Sequence, residues 1–178
     1  MKRGRGHLFL WLTLIALLGV GVFSFFFPHR VFAPTHSSLP QNYSDHDFVS
    51  VSVGDVSFCA EGALSGAKQT VGLAKYSSND FGKNDAMLFV FPAVQPLTFW
   101  MKNMRFDIDI VWVRQARIIG IERAVPYPRE TIDDEALPRY SSPMPVDMVL
   151  EVLAHRSDVF HVGDKLNFGS KCEKVRSL

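Results

Sequence analysis

Twenty consecutive residues, Leu8 to Phe27 (LFLWLTLIALLGVGVFSFFF), carry no charge, and this run divides the chain before any other feature is weighed. As a helix rising 1.5 Å per residue it is about 30 Å long, the thickness of the hydrocarbon core of a bilayer. It predicts a transmembrane anchor over 8–27. Lys2, Arg3 and Arg5 precede the run and only Arg30 follows closely. The positive-inside rule therefore puts residues 1–7 in the cytoplasm and the remainder outside, a single-pass protein of the cytoplasmic membrane with an extracytoplasmic C-terminal part. A cleaved signal peptide is the alternative, since Val31-Phe32-Ala33 offers small residues at a cut. Against it, the run exceeds the usual apolar core of about 7–15 residues, and Pro34 would follow the cut.

Residues 28–47 read as a flexible linker: the segment from Pro34 to Asp47 is polar, holds two prolines and shows no apolar periodicity. His29, His36 and His46 in or near it lack the spacing of a metal-binding stalk. Nineteen Lys plus Arg against eighteen Asp plus Glu give a net charge of +1, and that balance supplies no case for a nucleic-acid partner. In a chain of 178 residues, 47% of them apolar, the segment after the linker is one globular domain, 48–178.

Within it, Phe48 to Val53 alternates, with Val49, Val51 and Val53 on one face, and Gly54-Asp55 turns the chain into Val56-Ser57-Phe58. That pattern predicts a β-hairpin. Ser65 to Val71 suits one or two helical turns with Ser65 as N-cap and Gly72 as terminator. Met87 to Phe91, ending at Pro92, and Phe99 to Val113 read as buried strands. In the latter, Phe106, Ile108, Ile110 and Trp112 share one face, while Asp107 and Asp109 share the other with Val111 and Val113. Arg117 to Val125, Met148 to Ala154 and Lys165 to Phe168 complete six to eight short strands. The expected fold is mainly β, a compact antiparallel sandwich or barrel with one or two short helices.

Four blocks carry a family resemblance: Ala86 to Phe91, Phe99-Trp-Met-Lys-Asn103 leading to Ile108-Asp109-Ile110, Tyr140-Ser141 before Val149-Leu-Glu151, and Gly163-Asp164. Together they resemble the domain-of-unknown-function family 192 over roughly Phe48 to Phe168. The resemblance implies a compact β domain of jelly-roll or barrel type, often behind a signal or anchor, with no established activity. The chain departs from the family pattern at Asp107, Ala86, Ala74-Lys75 and His155.

Several residues are candidates for chemistry. Cys59 and Cys172 are the only cysteines and are expected to form a disulfide between the first hairpin and the C-terminal tail, two unpaired thiols being the alternative. Trp100, Lys102, Asn103 and Asp109 combine an aromatic platform, a cation, an amide and a carboxylate. That set suits a polar, glycan-like ligand, and the bland reading is a core Trp with turn-capping polar groups. Asp109 with Glu151 would serve a glycan hydrolase as acid and base if the fold set them across a cleft. Otherwise each is a buried carboxylate satisfied by nearby donors. His155, Asp158, His161 and Asp164 fall within ten residues, but a capped turn explains them without a metal, and no cofactor is expected. The reading is a non-catalytic domain binding a polar envelope ligand or an envelope protein. The alternatives are a hydrolase and a structural scaffold.

Overall fold

The computed structural model describes Leu39, residues 43–130 and residues 132–174. The expected span at 8–27 and most of the linker lie outside these residues. Among the described residues no helix is long and apolar enough to cross a membrane.

The alternation at the start of the domain forms β1 (Phe48–Val53) and β2 (Val56–Ala63), paired antiparallel around Gly54, whose φ of 56° a side chain would strain. Ser65 caps α1 (Gly66–Val71) by accepting from the Lys68 N–H, and a 3-10 turn (Gly72–Lys75) follows. The remaining strands are β3 (Asp85–Gln95), β4 (Thr98–Trp100), β5 (Ile108–Arg114), β6 (Arg117–Val125), β7 (Arg139–Ser141), β8 (Val146–Leu153) and β9 (Leu166–Lys171).

Seven strands make one sheet in the order β6-β5-β8-β3-β2-β1-β9, and β4 with β7 forms a separate two-stranded ribbon. The architecture is therefore a mixed sheet instead of the expected antiparallel sandwich or jelly roll. The cause is local. Between β2 and β3 the chain runs through α1 and the 3-10 turn, a connection long enough to bring β3 back parallel to β2. The sheet curls until its two edges touch at one end, where Arg117 bridges Lys165 and the Ile118 N–H donates to Asp164, but it does not close into a barrel.

Both faces of the sheet are apolar, as the near-continuous hydrophobic strands β5 and β8 require. One face gathers side chains from all seven strands, among them Val51, Leu88, Val111, Leu150 and Leu166, with Phe160 from the β8–β9 turn. The other carries Met87, Phe89, Ile110, Trp112 and Val149 and is covered by Leu73, Phe81, Met101, Met104 and Phe106 from the connecting segments. The expected strand from Phe99 to Val113 is thus two strands. Residues 101–107 leave the sheet, with Asn103 at φ 59°, and lay Met101, Met104 and Phe106 over its face as a lid.

Cys59 on β2 and Cys172 just after β9 form a disulfide, 113 residues apart in sequence.

Candidate functional site

Over the second face, α1 and the 3-10 turn stand on one side of a groove and β4 with the 101–107 segment on the other. Thr70, Val71, Ala74 and Lys75 line the first wall; Trp100, Lys102, Asn103 and Arg105 line the second, around a volume of about 700 Å³. The walls come from separate stretches of the chain and meet only because both segments pack on the same face of the sheet.

Trp100 is 40% exposed although its neighbours Phe99 and Met101 are directed into the core. The Arg139 guanidinium lies 4.2 Å from the indole centroid and the Lys102 ammonium 5.2 Å. Lys102 also ion-pairs with Asp134, so the acidic loop after β6 is tied to the groove's rim. On the far side of Lys102 a second, more polar hollow of about 340 Å³ lies between Asn103, Arg129 and Glu130. The cationic groups at the groove, Lys75, Lys102 and Arg105, face no acid among the residues that line it.

Lys75 is held in place by a buried charge network. Glu61 on β2 is 2% exposed and accepts from Lys68 Nζ, from Lys75 Nζ at 2.6 Å and from the Tyr76 hydroxyl, while His46 Nδ1 lies 3.4 Å away. Burial works to raise the Glu61 pKa, but these donors outweigh it and hold the carboxyl at about 2. Burial in turn lowers the Lys75 ammonium.

Beneath Trp100 the groove continues into an inner cavity of about 50 Å³ lined by Leu73, Phe89, Phe99, Trp100, Lys102 and Met104, with Glu151 on its floor. Glu151 is enclosed in the sheet between Met87 and Ile110, and burial pushes its carboxyl up to about 8. It makes no hydrogen bond or ion pair with any described residue.

Of the residues singled out in the sequence, Trp100, Lys102 and Asn103 meet at the groove, and Glu151 lies below them. Asp109 does not join them. One position after Ile108 and one before Ile110, it points to the opposite face of the sheet. There it is wholly buried and accepts from the backbone N–H groups of Ala124, His155 and Ser157 at 2.8, 3.2 and 2.9 Å. The paired-carboxylate arrangement is therefore not formed, because alternation along β5 and β8 sends Asp109 and Glu151 to different sides. His155 pairs with Asp158 and His161 with Asp164 in the β8–β9 turn, each three residues apart. Among the described residues no group of three or more His, Cys, Asp or Glu side chains could hold a metal ion. Lys75 and Arg105 escape a reading of the sequence because each is a lone cation in a connecting segment, without a spacing that marks it.

A family model described as Uncharacterized ACR, the domain-of-unknown-function family 192, matches residues 49–168. The chain belongs to this family. Some of the residues that carried the resemblance meet at the site: Phe99, Trp100 and Lys102 from one block, Phe89 from another and Glu151 from a third border the inner cavity of this family 192 domain, while Asp109 and the Gly163-Asp164 block lie away from it. Two solved structures share its fold. A protein of unknown function from Novosphingobium aromaticivorans DSM 12444 is 26% identical, with a TM-score of 0.58, over 67% of this chain and 84% of its own. A candidate transcription regulator from Sinorhizobium meliloti 1021 is 22% identical, with a TM-score of 0.59, over 70% of this chain and 96% of its own. At that identity the second likeness concerns the fold alone. Comparison with curated proteins gives no match.

Proposed function

We propose that the protein is a single-pass, membrane-anchored domain that faces the cell envelope and binds a polar, glycan-like ligand carrying negative charge in the Trp100 groove, without catalysis. The observation that carries this reading is the groove itself: an exposed indole flanked by Lys75, Lys102, Arg105 and the Asn103 amide, with no acid on its lining. Aromatic surface suits the apolar face of a sugar ring, and Arg105, beside the ammonium groups of Lys75 and Lys102 that Glu61 and Asp134 hold in place, offers a guanidinium to an anion. The location rests on the uncharged run at 8–27 with its basic N-terminal flank, and the Cys59–Cys172 bridge suits an oxidising compartment. A glycosidase acting through Asp109 and Glu151 lacks support, since that chemistry needs both carboxyls on one cleft, about 5–10 Å apart.

A single preparation tests the reading. The full chain is expected to remain in carbonate-washed membranes. Once solubilised in detergent, it is expected to bind acidic glycan fragments by calorimetry, with Trp100→Ala weakening binding at least tenfold while melting within a few degrees of wild type. A soluble chain beginning at Pro34 would remove the anchor, and wild-type affinity in Trp100→Ala would remove the groove.

A further inference from the structure

An acid at position 151 is unexplained by packing. Its register neighbours Met87 and Ile110 are apolar, and it is 5% exposed with no hydrogen-bond partner among the described residues. The fully enclosed side-chain atoms without a partner among the described residues are Trp112 Nε1 and Ser157 Oγ, whereas the Glu151 carboxyl lines the cavity. A polar group short of partners costs free energy, so that cavity is where a partner belongs. That cavity is small. A water in the liquid occupies about 30 Å³, so about 50 Å³ admits a group of a few heavy atoms and excludes a sugar ring.

We propose that the inner cavity receives the acetamido group of an anionic N-acetylated sugar, with Glu151 donating a hydrogen bond to the amide carbonyl and the methyl resting on Leu73, Phe89 and Phe99. This rests on the glycan reading of the outer groove and names the ligand class. A carboxylic acid donates only while protonated, and burial keeps Glu151 in that form at neutral pH. Lys102 is the charged group that shares the cavity with Glu151. Gln69 and Thr70 from α1 are neutral, Met87 and Phe89 on β3 and Ile110 on β5 are apolar, and Lys75 and Arg105 line the outer groove. An inserted ammonium group would meet three cations on its way in, whereas a neutral acetamido group meets none of that repulsion. The sugar's carboxylate then stays outside, against Arg105, with Lys75 and Lys102 shared between it and their partners Glu61 and Asp134.

The experiment is calorimetric titration of the full chain in detergent with three probes. N-acetylmuramic acid carries acetamido and carboxylate groups, N-acetylglucosamine only the former and glucuronic acid only the latter. N-acetylmuramic acid is expected to bind at least tenfold tighter than either of the others. Its affinity is expected to fall about tenfold between pH 7 and pH 9, because only about one-tenth of a group titrating near 8 stays protonated at pH 9. Glu151→Gln is expected to hold the two affinities within about threefold of each other, and Glu151→Leu to lose the preference for N-acetylmuramic over glucuronic acid. Lys75 also has a lowered pKa, so a tenfold loss that persists in Glu151→Gln would assign the titration to Lys75 and overturn the role of Glu151. Glucuronic acid binding wild type as tightly as N-acetylmuramic acid would overturn the acetamido assignment and leave the anion-binding groove standing. No binding of any probe would overturn both. Should Glu151→Leu fail to fold, the pH profile of the isosteric Gln variant still decides.

Discussion

Asp109 and Glu151 are two buried carboxyl groups on adjacent strands with opposite needs. Asp109 receives three backbone donors, one from the end of β6 and two from the β8–β9 turn, so its carboxylate fastens both to β5. Asp109→Asn keeps the shape but removes one acceptor, and it should cost about 1–3 kcal/mol in denaturant unfolding. Binding in the groove should be unaffected once the protein is folded. Glu151 has no such donors. Its folded pKa of about 8 lies above the ordinary 4.5, so the stability it permits is complete below about pH 4.5 and is lost as pH rises toward 8. Glu151→Gln should therefore be more stable than wild type at pH 8, by roughly 2–4 kcal/mol, and gain nothing at pH 4. A variant that melts identically to wild type at both pH values would mean that the carboxyl is not desolvated. Neither behaviour is visible in the sequence, where each residue is simply an acid inside an apolar strand.

At the scale of elements, the α1 and 3-10 segment forms one wall of the groove and is docked through Glu61, through Gln69, which donates to the Ala63, Leu64 and Val90 carbonyls, and through the buried Leu73. The Glu61 partners Lys68, Lys75 and Tyr76 all lie on that segment or directly after it. Removing one partner of a buried ion pair costs about 3–5 kcal/mol, and Glu61→Gln should lose that much while residues 66–76 gain amide exchange before the central strands do. The folded pKa of Glu61 is depressed, so its contribution is present above the ordinary 4.5 and fades as pH falls toward 2. Acid melts should show that loss in wild type and much less of it in the variant. Elements are the most legible level of the sequence. Val49, Val51 and Val53 declare β1 by alternation, Ser65 and Gly72 bracket α1, and Arg117 to Val125 is β6 to the residue. The misreadings have physical causes. Pro92 is expected to end its strand, but β3 continues to Gln95 because its pairing with β8 is interrupted between Val90 and Gln95, which leaves room for a residue without an N–H. The run from Phe99 to Val113 is largely apolar, and composition alone does not separate strand from lid when both bury the same face.

For the whole molecule, the parallel pairing of β2 with β3 and the curl that joins the edges are not readable in the sequence, because both depend on contacts between distant segments. Gly120 shows how tight the resulting packing is: a Cβ there would sit 2.7 Å from Pro143 and 3.2 Å from the Trp112 side chain. The Cys59–Cys172 bridge is foreshadowed by the cysteine count and gains from the structure a location, across the β1 strand that separates β2 from β9. Replacing both cysteines with serine should lower stability by about 4 kcal/mol in the chain-entropy model, measured by denaturant unfolding under oxidising conditions. Equal stability of the variant and the oxidised parent would show that the bridge closes no entropy the fold has not already removed.

That bridge also sets an order of events. Cys59 belongs to the second strand made, and its partner follows the last, so the bridge cannot close until the entire sheet-forming sequence has been synthesised. A chain stalled or truncated before residue 172 keeps a reduced Cys59 on an incomplete sheet, and a thiol-reactive label on that residue would distinguish unfinished molecules from finished ones during biogenesis.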